Sequence, residues 1–119
     1  YLMPRPAASF LLWASGDSMV EAGILDGDLL VVDRSITPTS GQIVVAVLDG
    51  GLVLKRLVRR GAVWWLAAAN RNYPDLRIGE FSETVIWGVA VYAIHRLNGQ
   101  DAQGAARRTG EPNQRGRLL

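Results

Sequence analysis

The grouping and alternation of apolar positions along this chain predict strands rather than helices. Ser9 to Ala14 encloses the run Phe10-Leu11-Leu12-Trp13 and reads as a first strand. A polar elbow follows, Ala14-Ser15-Gly16-Asp17-Ser18-Met19-Val20. Met19 to Ala22 then reads as one helical turn, stopped by Gly23. The turn Asp26-Gly27-Asp28 leads into Leu29-Leu30-Val31-Val32-Asp33, which is apolar on both faces, as a buried strand should be. Thr37 to Gly41 is a loop by composition. Ile43 to Leu48 and Leu52 to Val58 are two β-rich runs joined through Asp49-Gly50-Gly51, and an Asp-Gly pair in that setting is a strong hairpin signal. Arg59-Arg60-Gly61 makes a second tight connection into Val63-Trp64-Trp65-Leu66-Ala67. After a loop at Asn70 to Pro74, Thr84 to Leu97 is a long strand candidate, apolar on both sides, with Gly88 marking a bend or bulge.

Six or seven short strands, glycine-bearing turns and no long helical pattern predict a mostly β single domain. The expected architecture is a folded sheet or partly open barrel with one short helical turn. Residues 9–97 form the expected core. Residues 1–8, with Pro4 and Pro6, read as extended. Residues 98–119 lose the apolar pattern and read as a disordered tail.

Composition narrows this picture. A length of 119 residues and 49% apolar content fit one globular core. The absence of cysteine excludes disulfides, thiolate zinc sites and a cysteine nucleophile. The net charge of +2 resides in the tail, where Arg107, Arg108, Arg115 and Arg117 outnumber Asp101 and Glu111. The neutral body argues against a broad electrostatic footprint for nucleic acid. No apolar run approaches the roughly 18–20 residues of a membrane span, and no signal peptide opens the chain. The expected location is therefore cytoplasmic.

Ser18 is the first candidate for chemistry. A serine between a strand end and a helix start is held by the strand, and the free amides of the helix start favour a developing negative charge. The backbone N–H groups of Asp17 and Ser18 are the candidate oxyanion site. The residues alone leave a second reading open, in which Ser18 only caps the turn. Lys55 is the second candidate. In a strand it shares a face with Val53 and Leu57, while Arg56 points the opposite way. Either Lys55 is an exposed edge lysine, or it lies in an apolar site and loses its charge. In the second case a neutral amine is a competent general base for a serine hydroxyl, and serine–lysine pairs are a variant of triad logic.

Other candidates are weaker. His95 is the only histidine and falls late in the last strand. The elbow is not a Gly-x-Ser-x-Gly motif, because Val20 replaces the second glycine. Asp26, Asp28 and Asp33 suggest turn aspartates rather than metal ligands, so neither metal nor cofactor is expected. Trp64 and Trp65 lie near Arg59 and Arg60, but adjacent strand residues face opposite ways, which argues for core plus edge rather than a stacking platform for bases.

Four segments in order carry a family resemblance: Ala14-Ser15-Gly16-Asp17-Ser18-Met19, Ala22 to Asp33, Gly41 to Ala46, and Val53-Leu54-Lys55-Arg56-Leu57. Over about Pro6 to Leu97 the chain resembles the self-cleaving domain of the UmuD/LexA family, and its wording is most similar to the UmuD branch. The resemblance implies that Ser18 is the nucleophile and Lys55 its base. It also implies a homodimer, activation by a RecA filament on single-stranded DNA, and service of the shortened form as accessory subunit of a UmuC-like Y-family polymerase in translesion synthesis. The apolar surplus on both faces of the last strand points to the same two-fold homodimer. No sequence-specific DNA contact is expected of this domain. The family's scissile Ala-Gly or Cys-Gly has no counterpart before Ser18, and Ala22-Gly23 lies too close after it. The chain therefore reads as a cleaved or truncated core, with residues 1–8 a remnant of the arm. Two alternatives stay open: the C-terminal domain of a LexA-like or phage repressor, and a signal-peptidase relative.

Overall fold

A computed structural model describes residues 8–79 and 84–97, and the backbone of residues 117–118. The arm segment 1–7 and most of the tail expected at 98–119 lie outside the described residues. The strands are β1 (Ser9–Ala14), β2 (Leu29–Asp33), β3 (Ile43–Leu48), β4 (Gly51–Arg60), β5 (Val63–Ala67), β6 (Leu76–Arg77), β7 (Thr84–Ile94) and β8 (Arg117–Leu118). They form one open sheet in the order β6-β5-β4-β3-β7-β2-β1-β8. All pairings are antiparallel except β1 with β8. The mostly β expectation holds, and the sheet does not close into a barrel. Among the described residues no helix is long and apolar enough to cross a membrane.

The two hairpins follow from their turns. Leu48 pairs with Gly51 across Asp49-Gly50, which have φ of 50° and 83°. Two consecutive positive φ values match the twist of the flanking strands, and Asp-Gly is among the few pairs that accept them. Arg60 pairs with Val63 across Gly61-Ala62, where Gly61 takes φ of 64°.

Cross-strand partners share a face, so the register sorts the apolar residues into two layers. One holds Leu12, Leu30, Val32, Val45 and Leu54, covered by Met19 and Ile24 from the elbow region. The other holds Val44, Ala46, Leu57, Leu66 and Val89, with Ile36 and Ile78 from loops packed against it.

β7 lies between β3 and β2 and is not a free edge. Much of its two-sided apolar character is consumed within this chain, although Val85 and Tyr92 stay exposed. Two bulges shape it. Val45 pairs with Gly88 and Ala46 with Ile86, so Trp87 is extra; Val31 pairs with Tyr92 and Val32 with Ala90, so Val91 is extra. The irregularity expected at Gly88 is thus present beside it.

Candidate active site

The elbow after β1 is built from main-chain bonds. The Ala14 N–H donates to the Asp28 carbonyl and the Gly27 N–H to the Ala14 carbonyl, both at 2.8 Å. Gly16 takes φ of 84°, and its N–H donates to Asp26 Oδ1 at 2.8 Å. That reversal aims the chain back over the sheet. Val20–Ala22 forms a single 3-10 turn ended by Gly23 in the left-handed conformation. Its N-cap position is Met19, and no side chain caps it. Ser18 is therefore not the capping residue of this turn. It is buried, 5% exposed, and lines a recess of about 10 Å³ with Ala14, Gly16, Met19, Ile24 and Leu54.

Lys55 is also buried, 7% exposed. It pairs with Val44 in the ladder and has Val53 and Leu57 beside it on the same face. β5 ends at Ala67, opposite Arg56 and one residue short of Lys55. The loop after β5 turns across this gap, and Lys55 Nζ lies 5.4 Å from the centroid of the Tyr73 ring. Burial pushes the Lys55 pKa below the ordinary 10.5. Arg56 faces the other way, with its Nε buried and without a hydrogen-bond partner among the described residues.

The loop after β5 is stitched to the elbow, which the sequence reading missed. Asn70 Nδ2 donates to the Asp17 carbonyl at 2.9 Å. The Tyr73 hydroxyl donates to Asp17 Oδ1 at 2.6 Å. The Glu21 N–H donates to the Ala69 carbonyl at 2.8 Å, and the Ala69 N–H points at Met19 Sδ at 3.3 Å. Asn70 also accepts from the Asn72 and Tyr73 N–H groups, which holds the loop itself in shape. Lys55 is thus connected to the elbow through Tyr73. The amine faces Tyr73, Tyr73 holds Asp17, and Asp17 precedes Ser18. The hydrogen bonds described for the elbow do not engage the Asp17 and Ser18 N–H groups. The bond to Asp17, its negative charge and slight burial, in that order, raise the Tyr73 pKa above 10.0. Subtracting the phenolate absorbance titration of Tyr73→Phe from that of the unaltered chain is expected to isolate one tyrosine ionising above 10.0. Asp17→Asn should return it toward 10.0, and a tyrosine indifferent to that change would refute the contact.

The remaining candidates have structural partners. His95 Nδ1 lies 2.9 Å from Asp28 Oδ1, while the other Asp28 oxygen accepts the Leu25 N–H at 2.9 Å. Asp26 holds Gly16, and Asp33 accepts from Ser35 through both its N–H and its hydroxyl. The Asp28–Leu25 and Asp33–Ser35 bonds lie within turns, whereas Asp26–Gly16 and Asp28–His95 join separate segments. Trp64 packs on the second apolar layer, with the Arg59 guanidinium 5.7 Å from its ring. A separate apolar hollow of about 160 Å³ lies between the 3-10 turn and β7, lined by Ala22, Ile24, Ile43, Ala90 and Tyr92. Ser18 is not among its walls.

Comparison with known proteins identifies the family. The profile of the Peptidase S24-like family matches residues 1–91. The chain is 43% identical over 96 residues to Protein ImpA of Salmonella typhimurium, covering 81% of this chain and 65% of ImpA. The match to Protein ImpA of Escherichia coli has the same extent. It is 41% identical over 93 residues to the LexA repressor of Shewanella sediminis, covering 77% of this chain and 45% of the repressor. The chain thus spans a little under two thirds of ImpA and less than half of that repressor. The match over residues 1–91 and the identity to ImpA and LexA relatives lead to one conclusion: the chain belongs to the Peptidase S24-like family, the UmuD/LexA group.

Proposed function

We propose that this domain hydrolyses a peptide bond with Ser18 as nucleophile and Lys55 as general base. The observation that carries the reading is a lysine amine buried against Tyr73, which in turn holds the residue preceding Ser18. Desolvation disfavours the ammonium form, so Lys55 offers a lone pair nearer neutral pH than an exposed lysine does. Lys55 Nζ takes the Ser18 hydroxyl proton as Oγ bonds to the carbonyl carbon. The carbonyl oxygen becomes an oxyanion, received by the Asp17 and Ser18 N–H groups. The lysine ammonium then gives its proton to the leaving amine as the C–N bond breaks, which leaves an acyl-serine. Water attacks the ester next, Lys55 removing its proton and returning one to Ser18.

In its full setting the domain cleaves its own N-terminal arm when a RecA filament on single-stranded DNA stimulates it. The shortened form then joins a UmuC-like Y-family polymerase in SOS translesion synthesis. The ImpA similarity and the Ser-Gly-Asp-Ser-Met wording support this branch. The proposed two-fold homodimer uses surface left exposed at Phe10, Leu11, Val85 and Tyr92. The 41% identity to a LexA repressor supports a second reading, a repressor's C-terminal self-cleavage and dimerisation domain. The upstream reading frame separates the two: a short arm favours the first, a DNA-binding domain the second.

The test supplies a peptide bearing an Ala-Gly bond, or a fluorophosphonate, and maps the products by mass spectrometry. The expected outcome is cleavage at that bond and one phosphonyl adduct, on Ser18, with both lost in Ser18→Ala. Undiminished reaction of Ser18→Ala would sink the assignment.

A further inference from the structure

We infer that the outer edge of β1 beside Ser18 is a docking edge for an extended peptide, held in cis by this chain's own segment at Arg117–Leu118. Both main-chain groups of Ala14 face β2, since its N–H donates to Asp28 and its carbonyl accepts from Gly27. Main-chain groups alternate sides along a strand, so Trp13 and Ser15 present theirs to the outer edge. β8 lies along that edge in parallel register, Trp13 with Arg117 and Ala14 with Leu118. The same two residues also run close to β4, the strand that carries Lys55. Arg117–Leu118 therefore runs beside both β1, the strand that leads into the Ser18 elbow, and β4, the strand that bears Lys55.

Strand addition of this kind is main-chain recognition, so it admits any extended segment whose side chains do not clash. An unpaired edge next to a nucleophile is also a liability for indiscriminate pairing, and a tethered strand covers it. A tethered segment acts at an effective concentration in the millimolar range. A substrate strand must displace it, so the tail restrains the site without blocking it permanently. That last step rests on Ser18 being the nucleophile; the strand pairing does not.

The experiment compares amide spectra of the full chain with those of a chain lacking residues 98–119. Truncation is expected to shift the Trp13, Ser15 and Gly16 amides and to speed their hydrogen exchange. A synthetic peptide of residues 111–119, added to about millimolar level, should reverse the shifts in the truncated chain. The same peptide with Leu118→Pro, which lacks one main-chain donor, should do so far less. Fluorophosphonate labelling of Ser18 should run several-fold faster in the truncated chain. Superimposable spectra over Trp13–Gly16, or indifference of the truncated chain to the peptide, would overturn the inference. Shifts that behave as expected while Ser18 never labels would leave the docking edge standing and remove the nucleophile assignment.

Discussion

Lys55→Met is expected to slow acylation of Ser18 by about 10²- to 10⁴-fold, the range that a positioned general base contributes. Methionine keeps the length and apolar bulk of the lysine stem and removes only the basic nitrogen. The unaltered domain should react faster as pH rises, because only the neutral amine accepts the proton. Burial lowers the Lys55 pKa, so that rise should have its midpoint below 10.5, and Lys55→Met should lose the inflection.

Stability supplies a control with its own sign. The unfolded chain holds the lysine proton up to about 10.4, whereas the folded chain releases it at lower pH. Between the two values the unfolded state binds more protons, so stability rises with pH across that window. It is lost as pH falls toward the folded value, below which the burden of a buried ammonium is fully present. Lys55→Met lifts that burden, and its Tm at neutral pH should equal or exceed that of the unaltered chain. A variant that loses activity together with several degrees of Tm would point to a structural lysine. A variant that keeps its rate and pH profile would remove Lys55 from the chemistry.

Gly88→Ala is expected to destabilise the fold by about 1–3 kcal/mol, the usual cost of forcing a group into a filled core. A Cβ at Gly88 would meet Val32 Cγ1 at 2.7 Å, with Arg34 Cγ at 3.4 Å and the Asp33 carbonyl at 3.5 Å. Val32 is fully buried and belongs to the first apolar layer, so it has little room to yield. The glycine is needed here for closeness of approach, because β7 and β2 touch where both bulges have re-aimed the strand. Thermal or urea unfolding checks the expectation. The double variant Gly88→Ala/Val32→Ala should recover part of the loss, since it removes the clashing methyl. An unchanged midpoint in Gly88→Ala would show that β2 yields freely at this point.

The strands and their turns were largely legible. Short β-rich runs, Asp49-Gly50 and the double-sided pattern of β2 each declare themselves over a few residues, because backbone conformation and face alternation are local properties. β6 was not legible, since its two residues carry no period, and neither was β8, since Arg117–Leu118 lies in a stretch of tail composition. The long last run reads as two-sided, and its faces do enter both apolar layers while Val85 and Tyr92 stay exposed. Its place between β3 and β2 was not legible, because it depends on pairings far apart in sequence. At the site, Ser18 and Lys55 stood out by residue type and flanking pattern. Tyr73 and Asn70 did not, because their contacts with Asp17 join positions more than fifty residues apart.

From residue order alone came the β class, the two hairpins, the serine on its elbow and the lysine on its strand, all consequences of side-chain type acting on neighbouring backbone. Tertiary structure alone decided that β7 lies at the centre of the sheet and that Ser18 is buried without capping a helix. It also decided that β5 stops one residue before Lys55, so that Tyr73 covers the amine and holds the elbow. Those outcomes depend on register and crossover, which no short window of sequence contains, and on burial, which is a property of the assembled core.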